Sequence, residues 1–239
     1  MSNSMILCSV CQTENDKYAT ICKKCGGFLQ NRVPNLDLFD TLWRIIENPR
    51  EAFRLIMLAE HKNYALFLYA LYGISVAFSG FWYFRIGDRF ENVLILIFWA
   101  LLIGVPLGIA LCPIVSFFHW MLSKLLGGKA LFRTSMGITS YALTPFIISL
   151  LLLLPIELMT FGMYFFTFNP HPIAIKPVSY IVLIGLNAVM ILWAFILLII
   201  GTKVGNQISL WKSVFIVAIL YGLILRSVML CGEYTLNLF

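Results

Sequence analysis

Residues 127–154 read GGKALFRTSMGITSYALTPFIISLLLLL. A short basic loop, with Lys129 and Arg133, passes here into a run from Thr134 to Ile156 that holds no Asp, Glu, Lys or Arg. An uncharged run of this length crosses a hydrocarbon layer of roughly 30 Å as a helix. The basic loop beside it marks the side of the bilayer on which it stays.

Working outward, Tyr64 to Phe84, Val93 to Phe118 and Pro177 to Thr202 have the same character, and Ser213 to Gly232 is interrupted only by Arg226. Hydrophobic residues make up 61% of the chain and charged residues 12%, with a mean hydropathy of +0.91. Soluble domains hold about 45–50% apolar residues, so the composition excludes a water-soluble globular protein. In lipid the backbone must satisfy its own hydrogen bonds, and long uniform runs without alternation read as helices rather than barrel strands. The expected fold is all-α: a polytopic membrane protein with five transmembrane helices, preceded by a small zinc ribbon and amphipathic helices.

Lys and Arg are distributed unevenly between the runs. Eight precede the first (Lys17, Lys23, Lys24, Arg32, Arg44, Arg50, Arg54, Lys62), three lie in the second connection (Lys124, Lys129, Arg133) and two in the fourth (Lys203, Lys212). The other side has Arg85, Arg89 and Lys176. This bias places the N-terminus in the cytoplasm and, with five spans, the C-terminus outside. The net charge of +6 is thereby explained as topology, with no nucleic acid needed as partner. The opening MSNSMILCSV lacks the basic start and apolar run of a secretory signal, so the first span is expected to act as the insertion signal.

Ahead of the spans stand Cys8-x2-Cys11 and Cys22-x2-Cys25-Gly26-Gly27. Two thiolates from each of two tight knuckles can surround one tetrahedral Zn²⁺, with the glycines letting backbone amides turn toward sulfur. Disulfides are the competing reading; a reducing compartment disfavours them. With all four positions filled by protein, no position is left for a catalytic water. The stretch is similar to small zinc-ribbon modules carrying CxxCG…FCxxCG, and departs from them at Gln12, where glycine is usual. Cys112 and Cys231 lie in or at the end of apolar spans and read as small packing residues.

The domain boundaries follow: residues 1–30 a zinc ribbon, 31–62 a linker with amphipathic helices, 63–239 the five-span domain. Pro34 and Asn35 break the linker. Asp37 to Glu47 sets Phe39, Leu42, Trp43, Ile45 and Ile46 against Asp40, Thr41, Arg44 and Glu47, an amphipathic helix. Asn48-Pro49-Arg50-Glu51 then starts a second helix, with Asn48 as N-cap, Pro49 in the first position and Glu51 closing a capping box. Phe53, Ile56 and Met57 fall on one side of it. These helices are expected at the interface or against the cytoplasmic ends of the spans. Trp82, Trp120 and Trp211 sit at span ends, as in aromatic belts.

Within the spans the charged residues are Glu157 and Arg226, both expected in the outer half. An ion pair between them and independent snorkelling of each are equally supported. Gly104-x3-Gly108, Pro106, Pro113, Pro145 and Pro155 suit close helix packing and bends; the glycine pair permits a homo-oligomer as well as an internal contact. His61, His119 and His171 are scattered, and the sequence carries no zincin helix, nucleophile elbow or phosphate loop. Gly127-Gly128-Lys129 reads as a basic loop touching anionic headgroups.

From about Leu38 to Tyr221 the chain resembles the Yip1-domain family. The resemblance rests on Asn48-Pro49-Arg50-Glu51-Ala52-Phe53, on Gly127-Gly128-Lys129-x-x-Phe132 followed by Tyr141-Ala142-x-x-Pro145, and on Trp193, Gly201 and Gln207-Ile208-Ser209-Leu210-Trp211-Lys212. It implies five spans and a cytoplasmic N-terminus. Eukaryotic relatives act in vesicle transport and bind small Rab GTPases through cytoplasmic regions, where this chain carries a ribbon instead of a long N-terminal segment. A ribbon fused to this domain is more similar to the prokaryotic branch, which implies a plasma (inner) membrane and no established activity. The expected function is a non-enzymatic, membrane-anchored docking or organising module in membrane trafficking or homeostasis. Its expected partners are the lipid bilayer and a cytoplasmic protein engaged through the ribbon. The alternative is a small carrier or channel for an ion or lipid.

Overall fold

A computed structural model of the chain describes residues 5–16, 19–30, 35–61 and 64–237. Strands β1 (Ile6–Leu7) and β2 (Glu14–Asn15) pair antiparallel, Ile6 opposite Asn15. An isolated bridge joins Ile21 to Phe28. Pro34 and Lys62, at the expected edges of the linker region, lie outside the described residues.

Helix α1 (Leu38–Glu47) is capped by Asp37, whose carboxylate accepts from the Asp40 N–H at 2.8 Å. In helix α2 (Pro49–Leu58) the Asn48 side chain accepts from the Glu51 N–H and Pro49 stands in the first turn, but the expected capping box does not close: the Asn48 N–H donates to the Arg44 carbonyl at 2.7 Å and the Glu51 carboxylate faces Arg54 at 3.9 Å. On α1 the apolar residues divide. Ile45 is buried against the bundle, whereas Phe39, Trp43 and Ile46 point outward, the pattern of a helix lying at a lipid surface. On α2, Phe53 and Ile56 are fully buried, and Phe53 and Met57 reach Gly201 and Gly205 of the fourth span.

The long helices follow. They are α3 (Ala65–Tyr83), α4 (Val93–Leu125), a broken third span, α9 (Pro177–Asn206) and α10 (Leu210–Asn237). The third span runs from Phe132 to Phe166. It is built from α5 (Phe132–Ala142), α6 (Thr144–Ile148), a π-helical turn (Ser149–Leu153), α7 (Leu154–Phe161) and a 3₁₀ turn (Gly162–Phe166). Its breaks fall next to Pro145 and Pro155, which cannot donate to the helical ladder. A short helix, α8 (Pro172–Ile175), precedes α9.

Four of these elements are long and apolar enough to cross a membrane: Ala65–Tyr83, Val93–Leu125, Phe132–Phe166 and Pro177–Asn206. The fifth long helix, α10, has an apolar described part, Leu210–Ile224, that is shorter than a full span. The chain is thus an integral membrane protein whose membrane part is helical; its count of crossings rests on four full-length helices and this fifth one.

In lipid, apolar side chains gain nothing by leaving hydrocarbon for one another, so close backbone approach at small residues drives helix pairing. Helices α3 and α4 show this directly. A Cβ on Gly73 would stand 2.1 Å from the Gly104 carbonyl oxygen, and one on Gly108 would stand 2.0 Å from the Tyr69 carbonyl oxygen. Gly104-x3-Gly108 is therefore spent on an internal contact.

Two apolar cores stack along the bundle. The one nearer the ribbon joins Ile45, Phe53, Ile56, Ile138, Tyr141, Leu197 and Leu220. The far one joins Phe78, Phe81, Leu96, Phe161, Phe166 and Tyr180. At the far rim the Arg85 guanidinium donates to the Phe165 carbonyl at 3.0 Å and to the Tyr180 hydroxyl at 2.8 Å.

The glycine contact makes a graded prediction. Gly73→Ala, Gly104→Ala and Gly108→Ala should each lower the melting temperature of the purified protein by several degrees, as overpacking against backbone costs about 1–3 kcal/mol. Gly80→Ala and Gly185→Ala, where a Cβ meets nothing within 4 Å, should leave it unchanged or slightly raised. Equal melting of all five variants would contradict the packing described.

Candidate metal centre

The four cysteines singled out by spacing converge. The sulfur atoms of Cys8, Cys11, Cys22 and Cys25 all lie within 4.8 Å of one another. Cys8 and Cys25 are 3.6 Å apart and Cys11 and Cys22 3.5 Å. A disulfide needs about 2.05 Å, so these thiols are unbridged. Sulfurs bound tetrahedrally at about 2.3 Å from one ion would be about 3.8 Å apart. The donor set therefore fits a single thiophilic metal ion.

Two knuckles deliver the sulfurs. In the first, the Gln12 N–H returns to the Cys8 carbonyl at 2.9 Å, with Gln12 in the left-handed region at φ 54°. In the second, the Gly26 N–H returns to the Cys22 carbonyl at 3.0 Å, with Gly26 at φ 71°. Gln12 thus occupies the backbone conformation for which glycine is suited, and the departure noted in the sequence is one of side chain, not of turn. Gly27 is needed for another reason: a Cβ there would lie 3.2 Å from the Cys25 sulfur.

Asn15, which no spacing argument marks, ties the knuckles together. It is 2% exposed. Its side chain accepts from the Lys23 N–H at 2.9 Å and donates to the Thr13 carbonyl at 2.7 Å and to the Cys22 sulfur at 3.5 Å.

The thiols compete for negative charge. The N–H groups of Cys25 and Lys24 draw the Cys22 thiol down to about 6, and the Thr13 hydroxyl lowers Cys11. The Gly27 N–H pulls on Cys25 as well, but the Cys11 and Cys8 sulfurs outweigh it and hold that thiol up at about 12. Four thiolates this close need a cation among them, which is what a bound metal supplies.

The ribbon sits on the membrane bundle. Asp16 accepts from Lys129 Nζ at 3.2 Å and from the Gln207 side-chain amide. Those two residues lie on the α4–α5 and α9–α10 connections, which are joined by the Lys129 N–H to the Asn206 carbonyl at 3.3 Å and by Lys212 Nζ to the Leu126 carbonyl at 3.0 Å. Gly128 permits the junction, since a Cβ there would lie 2.5 Å from Asn206 Oδ1. The Gly127-Gly128-Lys129 loop packs on Asn206 and holds the ribbon. Nearby, Arg133 meets His61 at 3.1 Å.

The remaining candidates are placed as follows. Cys112 is buried beside Tyr69 and Tyr72 in an apolar cluster, whereas the side chain of Cys231 lies outside the described residues. Glu157 is 4% exposed and takes a hydrogen bond from Asn187 at 2.6 Å; Arg226 is exposed on α10. Among the described residues no ion pair joins Glu157 to Arg226; the group that meets Glu157 is a neutral amide on the adjacent α9. His119, scattered in sequence, is fully buried and bonded to Thr202 at 2.9 Å, about one turn along α4 from Ser116, which meets Thr139 at 3.1 Å.

The family model described as Yip1 domain matches residues 43–231, well over half of the chain. No curated protein and no solved structure matches it.

Purified full-length protein should carry one metal ion per chain, and replacing all four cysteines by Ser should reduce this to none while the helical circular dichroism is retained. Gln12→Gly should stabilise metal binding, because relieving a left-handed non-glycine residue gives up to about 1–2 kcal/mol. Competition against a chromophoric chelator measures both; metal retained by the Ser variant would overturn the assignment.

Proposed function

The chain belongs to the Yip1 domain family, and on that footing we propose that it is a non-enzymatic docking module whose zinc-bound ribbon recruits a cytoplasmic protein to the membrane. Zinc is the metal we assign, since four thiolates with no open position suit a structural zinc site. The Lys and Arg bias supports a cytoplasmic ribbon, and the fusion of ribbon to spans supports a prokaryotic plasma membrane. The role in the cell is organisation of membrane trafficking or homeostasis.

One observation carries this reading. Leu7, Val10, Ile21 and Phe28 are 64%, 74%, 58% and 65% exposed on the ribbon. Large exposed apolar side chains on so small a module are the signature of a protein-binding surface. The metal keeps the surface in shape, and the Asp16 contacts with Lys129 and Gln207 hold it close to the bilayer.

A second reading, a small carrier, draws on the polar groups buried within the spans, Glu157 foremost. The two are separable. In cells, a photo-crosslinker at Val10 should capture a discrete cytoplasmic protein, and capture should fall at least tenfold with Phe28→Ser or Ile21→Ser while metal content is unchanged. Crosslinking indifferent to both substitutions, together with ion or lipid flux in liposomes that survives loss of the four cysteines, would favour the carrier.

A further inference from the structure

Ser149, Asn187 and Glu157 form one hydrogen-bonded chain between the third and fourth spans. The Ser149 hydroxyl donates to Asn187 Oδ1 at 2.6 Å, and Asn187 Nδ2 donates to Glu157 Oε1 at 2.6 Å and to the Leu183 carbonyl at 3.1 Å. Ser149 opens the π-helical turn, where the Leu154 N–H bonds back to the Ser149 carbonyl. Single π turns within helices recur at functional sites. Pro155, directly after, has no N–H to offer the preceding turn.

Depth decides what this chain can be. Helix α9 runs from Pro177 to Asn206, so Asn187 is about 15 Å along an axis of about 45 Å, inside the outer half of a hydrocarbon layer of roughly 30 Å centred on it. Glu157 stands at the same level, 4% exposed. An isolated carboxylate there is costly unless a proton or a cation neutralises it.

Among the described residues the cations on the neighbouring elements are engaged elsewhere. Helix α9 contributes Tyr180 and Lys176, and the Lys176 ammonium is engaged by the Thr160 carbonyl at 3.3 Å. The turn after α7 contributes Tyr164, half exposed. Helix α3 contributes Tyr72, whose ring packs on Phe146, and Tyr83 at its far end. Arg85 is held at the rim by Phe165 and Tyr180. Among the described residues, none of these charges forms an ion pair with Glu157.

We propose that Glu157 is a proton-binding site within the outer half of the spans, with Asn187 positioning its carboxyl group and Ser149 positioning Asn187. A proton from water adds to the carboxylate oxygen that Asn187 does not engage, giving the neutral acid, and leaves by the reverse step; no other bond changes. The site stands independently of the docking role, since it is on other elements and needs no ribbon.

Dicyclohexylcarbodiimide, which reacts with protonated carboxyl groups in apolar surroundings, tests this on the full-length protein in detergent, with the modified residue mapped by mass spectrometry. Glu157 should be modified at pH 7 at least tenfold more than the water-exposed Glu47 and Glu51, and Glu157→Gln should abolish that modification. The reaction should fade as pH rises. Asn187→Leu, which removes a hydrogen bond to the charged form, should move the midpoint upward by about one pH unit; Ser149→Ala, a smaller change, should move it the same way. Glu157 unmodified between pH 5 and 9 in monodisperse protein, or a midpoint unmoved by both substitutions, would overturn the assignment.

Discussion

The contact of α3 with α4, backbone against backbone at Gly73, Gly104 and Gly108, fixes the geometry on which the remaining helices are laid. Within a bilayer, packing and polar contacts replace the hydrophobic drive, and a pair of helices without intervening side chains gains the most from them. Helix α4 presents Ser116 and His119 on the face turned toward the third and fourth spans, where Thr139 and Thr202 meet them. Buried polar pairs of this kind specify which helix lies beside which, a task that uniform Leu, Ile and Val surfaces perform poorly.

From that frame the ends of the bundle acquire distinct characters. At one end the connections bearing Lys129 and Gln207 are knit together through Asn206 and hold Asp16 of the ribbon. At the other, Arg85 fastens the turn after α7 to α9, and Asp88 accepts from the Phe168 N–H at 2.9 Å. Helices α1 and α2 lie at the ribbon end, one face in the core and Phe39 and Trp43 outward, which suits the interfacial depth that their charges require. The ribbon is thereby a fixed part of one face, and its exposed apolar side chains are displayed at a set height above lipid.

Much of this was legible in the sequence where the physical signal is local. Uncharged runs announce spans because charge in hydrocarbon is costly, Asn48-Pro49 announces a helix start because cap and proline each meet a specific backbone need, and paired CxxC spacing announces a cluster able to hold a metal because two knuckles can present four sulfurs. Signals that depend on a partner far along the chain were not. By charge alone Glu157 left an arginine partner and outward snorkelling equally open, and its hydrogen-bond partner is Asn187, thirty positions away. Gly104-x3-Gly108 could equally serve a second copy until Gly73 was seen opposite it. Asn15 and His119 carry no local mark at all, because an amide or imidazole reads the same whether it faces water or a sulfur or a hydroxyl in the next helix.

The proposed topology sets the two ends of the bundle on opposite sides of a bilayer, with ribbon, Lys129 loop and Gln207 loop together on the cytoplasmic one. Labelling of intact cells with a membrane-impermeant maleimide, using Asp88→Cys and Ser209→Cys as reporters, tests it most directly. The account predicts that Asp88→Cys is labelled from outside and that Ser209→Cys, like the natural ribbon cysteines, is labelled only after the membrane is opened. Labelling of both reporters from the same side would contradict it.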